Sequence, residues 1–336
     1  MSKTNIAVAP HTSSIKRRLF HLVAVPEIGV IGALIITVVL FYNLEPSFLS
    51  ARNIRAMLDV VSFVGIVAVG QTILLISGEF DLSVGAVAGL GAVVAARLMT
   101  AASWPVPLAV VAGIAVGGLI GLLNGFVVVF LRIPTFIQTL GMLFIGQGLI
   151  QVVTGGYPVY PLPASVGLVG SATPLAGFGW SFFFFAGTAF VGDFLLRHTV
   201  IGRNMYATGG NARVAELVGI NTSLYRIAAF ILVGALSAIA GLFVMADLAS
   251  GSTGIGTGWE LTVIAGVVVG GVSLFGGAGT VSGGLIGILL LQVVQSGLVT
   301  AGISANWQQI AVGIIMILAV GLDTLRRRLT RTDMTS

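Results

Sequence analysis

From Val67 to Ala92 the chain reads VAVGQTILLISGEFDLSVGAVAGLGA. An apolar run, Ile66 to Ile76, stops at Ser77-Gly78-Glu79-Phe80-Asp81. A second run, rich in small residues, starts at Leu82-Ser83-Val84-Gly85. Two carboxylates therefore sit between two membrane-type segments with almost no other charge nearby. Ionised carboxylates are expensive in hydrocarbon and, where they occur, face protein or water. Two arrangements meet that demand. One is a broken helix that holds Glu79 and Asp81 in a protein-lined or wet pocket. The other is a short polar loop at the membrane surface.

Composition points the same way. The 336 residues are 57% hydrophobic and 8% charged, with a mean hydropathy of +1.08. A soluble domain carries about 25% charge, so this is a polytopic membrane protein. The 47 glycines show no collagen period; small residues let membrane helices approach closely. There is no cysteine, which excludes disulfides and thiolate metal sites. His11, His21 and His198 lie near basic or terminal segments, which argues against a metal cluster.

Apolar segments of nearly the ~20 residues needed to cross a bilayer fall near 28–43, 60–77, 82–99, 106–131, 134–153, 178–196, 224–247, 259–275, 281–300 and 306–323. Ten spans place both termini on one side. Thirteen of the 16 basic residues then lie on the side of the termini, and only Arg52, Arg55 and Arg97 on the other. By the positive-inside rule the termini are cytosolic. The expected fold is an all-α polytopic membrane protein of about ten transmembrane helices with Gly-rich breaks. It has a cytosolic tail over 1–25, one membrane domain over 26–325 and a second tail over 326–336. The basic Met1–Val25 stretch, with Lys16, Arg17 and Arg18, is read as an uncleaved tail because no small-residue cleavage site follows.

Several segments outside the spans carry signals. Glu45 to Asp59 places Phe48, Leu49, Ile54, Met57 and Leu58 as a short interfacial helix would. Thr154 to Gly177 contains Pro158, Pro161, Pro163 and Pro174, which forbid a continuous helix; it is either a docking surface or a connector. In the fourth span Gly113, Gly117, Gly121 and Gly125 recur every four residues, a stripe for close helix packing, with Asn124 beside it to bridge helices. Ser250 to Glu260 is expected to be a flexible outer turn. Its Gly256-Thr257-Gly258 resembles a phosphate cradle only superficially. Val272 to Gly284, with Gly276 and Gly277, is a second Gly-rich break that echoes the first. Interrupted segments in comparable places of two halves point to a translocation pathway.

The most charged stretch of the core is Arg197 to Arg226. Asn211, after Gly209-Gly210, can cap a short helix from Ala212 to Val218, with Gly219 as its stop. That helix exposes Arg213 and Glu216. It is too short to stand alone and needs a partner surface, either its own membrane domain or another protein.

Some chemistry is missing. The only lysines are Lys3 and Lys16, so there is no GxxxxGK[ST] phosphate loop. No HExxH, GxSxG or His–carboxylate pair occurs, and nothing nominates an enzyme. Glu79, Asp81, Asp193, Asp247 and Glu260 mostly sit at span ends, whereas proton-coupled carriers place such groups at mid-span. An ion-coupled secondary carrier built on Glu79 and Asp81 is the alternative reading.

GQTILLISGEFDLSVG (70–85), LRIPTFIQTLGML (131–143), RHTVIGRNMYATGGNARVAELVGIN (197–221) and GWELTVIAGVVVGGVSLFGGAGTVSGGLIG (258–287) together resemble the membrane permeases of bacterial monosaccharide ABC importers, the ribose type most nearly. The likeness runs in order from about Pro46 onward. The family's break usually reads Gly-Gly-Ile-Asp-Leu-Ser-Val-Gly; here Glu79-Phe80 replaces the second Gly and the Ile. The resemblance implies an inner-membrane permease without cofactor of its own that moves a monosaccharide or a sugar-like molecule. It implies a second permease copy, a cytosolic ATPase that holds ATP and Mg, and a periplasmic sugar-binding protein. The ATPase would dock on a coupling helix at 209–219, through Gly209, Gly210, Asn211, Arg213, Ala215, Glu216 and Gly219. Glu79, Asp81, Ser83, Gly85, Gly276 and Gly277 would line the pathway or hold the broken segments. Polar groups look too sparse for a tight sugar site, as expected where another protein supplies recognition.

Overall fold

Gly78 ends the second helix of the chain in a left-handed conformation (φ 92°), and the amide of Glu79 turns back to Leu74 O at 3.2 Å. This glycine cap satisfies helix-end carbonyls that hydrocarbon cannot. The same device recurs at Gly271 (φ 92°), where Val272 N–H donates to Val267 O at 3.2 Å. The two breaks thus begin with one local geometry, although their letters differ.

In the computed structural model, residues 26–304 are described except Ala176, together with scattered positions between 307 and 321. Twelve α-helices are described: α1 (Pro26–Leu44), α2 (Ala51–Ile76), α3 (Val84–Thr100), α4 (Val106–Phe130), α5 (Thr135–Thr154), α6 (Ala164–Ser171), α7 (Trp180–His198), α8 (Val200–Gly210), α9 (Ala212–Leu217), α10 (Thr222–Asp247), α11 (Trp259–Val269) and α12 (Val281–Thr300). The chain is all-helical as expected. Nine of the ten expected spans coincide with a helix; half of 306–323, and both tails, lie outside the described residues. By length and composition five helices can cross a membrane unaided, α2, α4, α5, α10 and α12. The pair α7–α8, bent by 75°, makes a sixth, and α1, α3 and α11 are shorter apolar helices.

The centre is α2. Eighty-nine per cent of its apolar window is buried in protein, against 22% for α4, which lies at the edge of the bundle. α2 packs on α7, α10, α11 and α12. Small residues set these distances. A Cβ on Gly70 would lie 2.9 Å from Val233 Cα, and one on Gly65 would strike the Phe185 ring.

The glycine stripe of α4 does what its spacing predicts. Gly117 meets Gly234 O, Gly121 meets Phe230 O, Gly125 meets Ile227 Cα, and Gly113 meets Gly91 O of α3. Residue numbers rise along α4 as they fall along α10, so the two helices run antiparallel.

Loops that span alternation assigns to one side are found together. At one end Arg197–Arg226 meets both glycine breaks. At the other, Arg97 Nε donates to Val153 O (2.9 Å), and Val159 and Gly251 exchange two backbone hydrogen bonds of 3.0 Å. The proline-rich 154–177 segment contains only the eight-residue α6.

Two expectations fail. Residues 51–59 are not a separate interfacial helix but the first turns of α2. Ser50 caps that helix by accepting from Asn53 N–H (3.4 Å), and nothing interrupts it before Ile76. The Ser250–Glu260 stretch is not a free outer turn either. Its backbone lies along α3: Gly251 against Ala96, Ile255 O against Gly89 and Gly256 against Gly85.

The α4–α10 contact gives a direct test. A methyl at Gly121 would sit 2.1 Å from Phe230 O, whereas one at Gly118 meets only Ile231 Cγ2 at 4.0 Å. Gly121→Ala lowers the stability of the detergent-solubilised protein by about 1–3 kcal/mol, the usual cost of overpacking. Gly118→Ala leaves the thermal midpoint unchanged. Equal midpoints for the two variants would refute the stripe as the packing seam.

Candidate functional site

Five glycines from three separate segments meet at the end of the molecule that carries Arg197–Arg226. Gly277 N–H donates to Ile76 O at 3.0 Å, which joins the second break to the end of α2. Gly209 is wedged beside that bond: a Cβ there would lie 1.9 Å from Ile76 O, 2.8 Å from Gly277 N and 2.9 Å from Gly78 N. Gly276 approaches Gly209 and Gly78, and Gly277 approaches Gly210. A Cβ at Gly209, Gly276 or Gly277 would clash, whereas one at Gly210 has open space, and Gly78, Gly276 and Gly277 also need their positive φ. Tyr206 OH donates to Gly279 O (2.7 Å), and Asn204 Nδ2 donates to Tyr225 OH (2.7 Å). α8 is thereby fastened to the second break and to α10.

The carboxylates of the first break go into two separate arrangements. Asp81 is buried. Ser83 donates to its Oδ1 through both N–H and Oγ, each at 2.6 Å, a turn in which the side chain replaces a backbone acceptor. Asn124 Nδ2 of α4 donates to Asp81 Oδ2 (3.2 Å) and to Ser83 Oγ (3.1 Å). Gln138 Nε2 of α5 donates in turn to Asn124 Oδ1 (3.1 Å). The break is thus tied to two helices by a chain of satisfied polar groups. Glu79 lies nearer the surface, accepts from Thr135 Oγ1 of α5 and pairs with Arg226 Nη1 of α10 at 3.4 Å. Phe80 and Leu274, one from each break, pack on Leu82, Ile264 and Val268.

The short helix α9 follows α8 directly. Asn211 caps it by accepting from Val214 N–H (3.1 Å), and Gly219 (φ 87°) ends it with Ile220 N–H on Ala215 O (3.0 Å). Ala215 is the residue that faces inward. Thr222 Oγ1 donates to Glu216 Oε1 (2.6 Å) and holds α9 to the start of α10. Arg213 is exposed, and Val214, Leu217 and Val218 are 54%, 83% and 72% exposed. Of the seven positions expected on this surface, Gly209 and Gly210 meet the breaks, Ala215 is buried, and Asn211, Arg213, Glu216 and Gly219 are exposed. The exposed apolar residues, absent from that set, are Val214, Leu217 and Val218.

Gly85 lies elsewhere, with Gly256 pressed against its backbone. Beside them is a cavity of about 510 Å³ lined by α5, the start of α3 and residues 253–257. Its polar side chains are Gln147, Gln151, Thr253 and Thr257, with Phe144 beside them. Sequence reasoning passed over them. The available signal was two amides one helical turn apart on an otherwise apolar span.

Comparison with known proteins agrees with this architecture. Residues 53–320 match the family described as branched-chain amino acid transport system / permease component. The xylose transport system permease protein XylH of Escherichia coli K12 is 32% identical, over 90% of this chain and 93% of that protein. The ribose import permease protein RbsC of the same strain is 34% identical, over 93% and 98%. The L-arabinose ABC transporter permease protein AraH of Azospirillum brasilense is 35% identical, over 89% of each. No solved structure matches the chain. With the family pattern running through both glycine breaks and the α8–α9 segment, and with relatives matched almost end to end, the chain belongs to this family of multi-pass membrane permease components.

Proposed function

We propose that the chain is the permease subunit of a bacterial ABC importer that moves a monosaccharide or a sugar-like small molecule across the inner membrane. Two permease copies, a cytosolic ATPase and a periplasmic binding protein complete the assembly, with both permease termini in the cytosol. The relatives' names carry the substrate class. The geometry supports the division of labour.

The observation that carries the mechanism is the position of α9. It presents exposed apolar residues outward, and it continues from α8, whose Gly209 is locked between the ends of α2 and the second break. Movement of an ATPase surface against Val214, Leu217 and Val218 is transmitted through α8 to both breaks at once. The breaks interrupt the central helices, so tilting them there changes access from either side without unfolding a helix. Asp81 holds its segment to α4 and α5 during this motion, and Glu79 adds a link from the same segment to α5 and α10. In this reading ATP and Mg belong to the partner ATPase, and no chemistry is required of this chain. Both oxygens of Asp81 already accept hydrogen bonds from the protein, so no observation favours the ion-coupled carrier.

Ala215 is buried, so the docking test belongs on the exposed residues. Leu217→Glu with Val218→Glu lowers uptake and stimulated ATPase activity at least about ten-fold, since a buried interface anchor is worth ~2 kcal/mol or more. Membrane insertion and thermal midpoint stay normal. Undiminished coupling in this double variant would end the docking assignment.

In proteoliposomes holding all components, uptake follows ATP and survives collapse of proton and sodium gradients by ionophores. Uptake by the chain alone under an ion gradient would reverse the conclusion. Asp81→Ala lowers stability by about 1–3 kcal/mol, because the Ser83 and Asn124 donors are left buried without an acceptor. A thermal midpoint equal to wild type would show that the network does not hold the break.

A further inference from the structure

Two features of the mid-membrane region are unusual for a helix bundle, and they converge on one cavity. The first is non-helical backbone. Residues 251–258 run beside α3 from the level of Ala96 to that of Gly85, eleven residues or about 16 Å along that helix. Gly146 of α5 lies at the Gly85 end, where a Cβ on it would meet Ala86. Irregular backbone at this depth is tolerated only where it is buried in protein or lines water. Ile255 and Gly256 are buried, but Thr257 and Gly258 are exposed, so part of this backbone faces neither protein nor a helix.

The second feature is a pair of amides. Gln147 and Gln151 lie one turn apart on α5, and both are exposed. Gln147 is about 18 Å from the Thr135 end of the helix and about 10 Å from the other. Spanning helices usually quiet a polar side chain by bonding it to their own backbone, as Thr139, Thr154 and Ser237 do here. The two glutamines do not. Among the described residues the side chains of Gln147, Gln151, Thr253 and Thr257 form no hydrogen bond. Facing lipid, such groups would be strongly unfavourable.

The geometry points to the cavity between α5 and residues 253–257 as a sugar-contacting site on the transport path, with Gln147, Gln151, Thr253 and Thr257 as its hydrogen-bonding groups. The inference rests on the importer reading above. The volume, about 510 Å³, lies within the range of roughly 300–1,000 Å³ for small-molecule sites. Amides and hydroxyls both donate and accept, which suits a ring bearing hydroxyls on several sides. Phe144 adds an apolar ring beside them, able to meet the C–H face of a sugar. The lining contains no charged residue. A neutral polyol fits that chemistry; the one carboxylate beside the lining is Glu260, at Gly85, and the carboxylate of an amino acid would find no cation in the lining.

The absence of native cysteine makes a thiol test clean. The complete importer is reconstituted with the chain carrying Gln147→Cys, and separately Thr257→Cys. A charged, water-soluble methanethiosulfonate is applied during turnover, with or without D-ribose, D-xylose or L-arabinose. Both thiols are modified, and the transported sugar slows modification while L-leucine does not. In parallel, Gln147→Leu with Gln151→Leu reduces sugar uptake about ten-fold by removing two hydrogen-bonding groups. ATPase stimulation by the liganded binding protein persists.

Thiols reached only by a lipid-permeant maleimide would overturn the site, as would modification indifferent to sugar. Normal uptake by the double leucine variant would do the same. Joint loss of uptake and ATPase stimulation would assign the glutamines to subunit packing and also overturn it. These failures leave wild-type sugar uptake intact. Wild-type import of L-leucine and none of the three sugars would instead sink the importer reading itself, and the site with it.

Discussion

Hydrocarbon offers no hydrogen bonds, so every interruption of a spanning helix must satisfy its own backbone within the protein. That constraint organises this chain. α2 and α11 both stop at a glycine cap, and the bond from Gly277 N–H to Ile76 O joins the two stops. Gly209 closes the junction from the third side, because only a residue without a Cβ fits beside that bond. The broken helices of the core and the segment leading to the exposed helix α9 are thereby one mechanical unit.

Around that junction the bundle divides by how its helices are held. α4 approaches α10 at glycine distances from Gly117 to Gly125, largely backbone against backbone, and α2 approaches α10 closely at Gly70. Such contacts shift as a block, since there are few side chains between them to rearrange. α5 is held differently. It meets α3 at Gly146 and Ile150, the first break through Thr135 and Asn124 of α4 through Gln138, while its remaining surface is largely open. The helix that carries the unpartnered amides is thus joined to the core by a few polar ties and one close seam.

The parts legible in the sequence were those with a local cause. The four-residue glycine period on α4 announced close packing. Asn211 and Gly219 bracketed α9 to within a residue, since a cap and a stop act on their own helix. The breaks at Gly78 and Gly276 showed as glycines and polar residues inside apolar runs. What could not be read was the partner of each glycine. Gly209 reads as part of a polar loop until folding brings it to Gly78, 131 positions away. The 251–258 stretch looked like a flexible turn for the same reason: its composition is that of an exposed loop, and only its contact with α3 shows that it packs into the helix bundle. Gln147 and Gln151 were diluted by apolar neighbours, and their shared face appears only once α5 is wound. Residues 51–59 misled because amphipathic spacing cannot tell a separate surface helix from the first turns of a longer one.

The two-bond bridge between Val159 and Gly251 joins the proline-rich outer loop to the strand of backbone that forms one wall of the cavity. A protein that lands on the loop is therefore in touch with the chamber through a short length of taut main chain rather than through a helix. Sequence change within the loop is constrained at the buried Val159 and again beyond Pro163, where Val166 is buried and a Cβ on Gly170 would lie 2.1 Å from Ala246 O. The exposed side chains of its rim, Tyr157, Tyr160, Leu168 and Leu175, are free to change while the bridge behind them stays fixed.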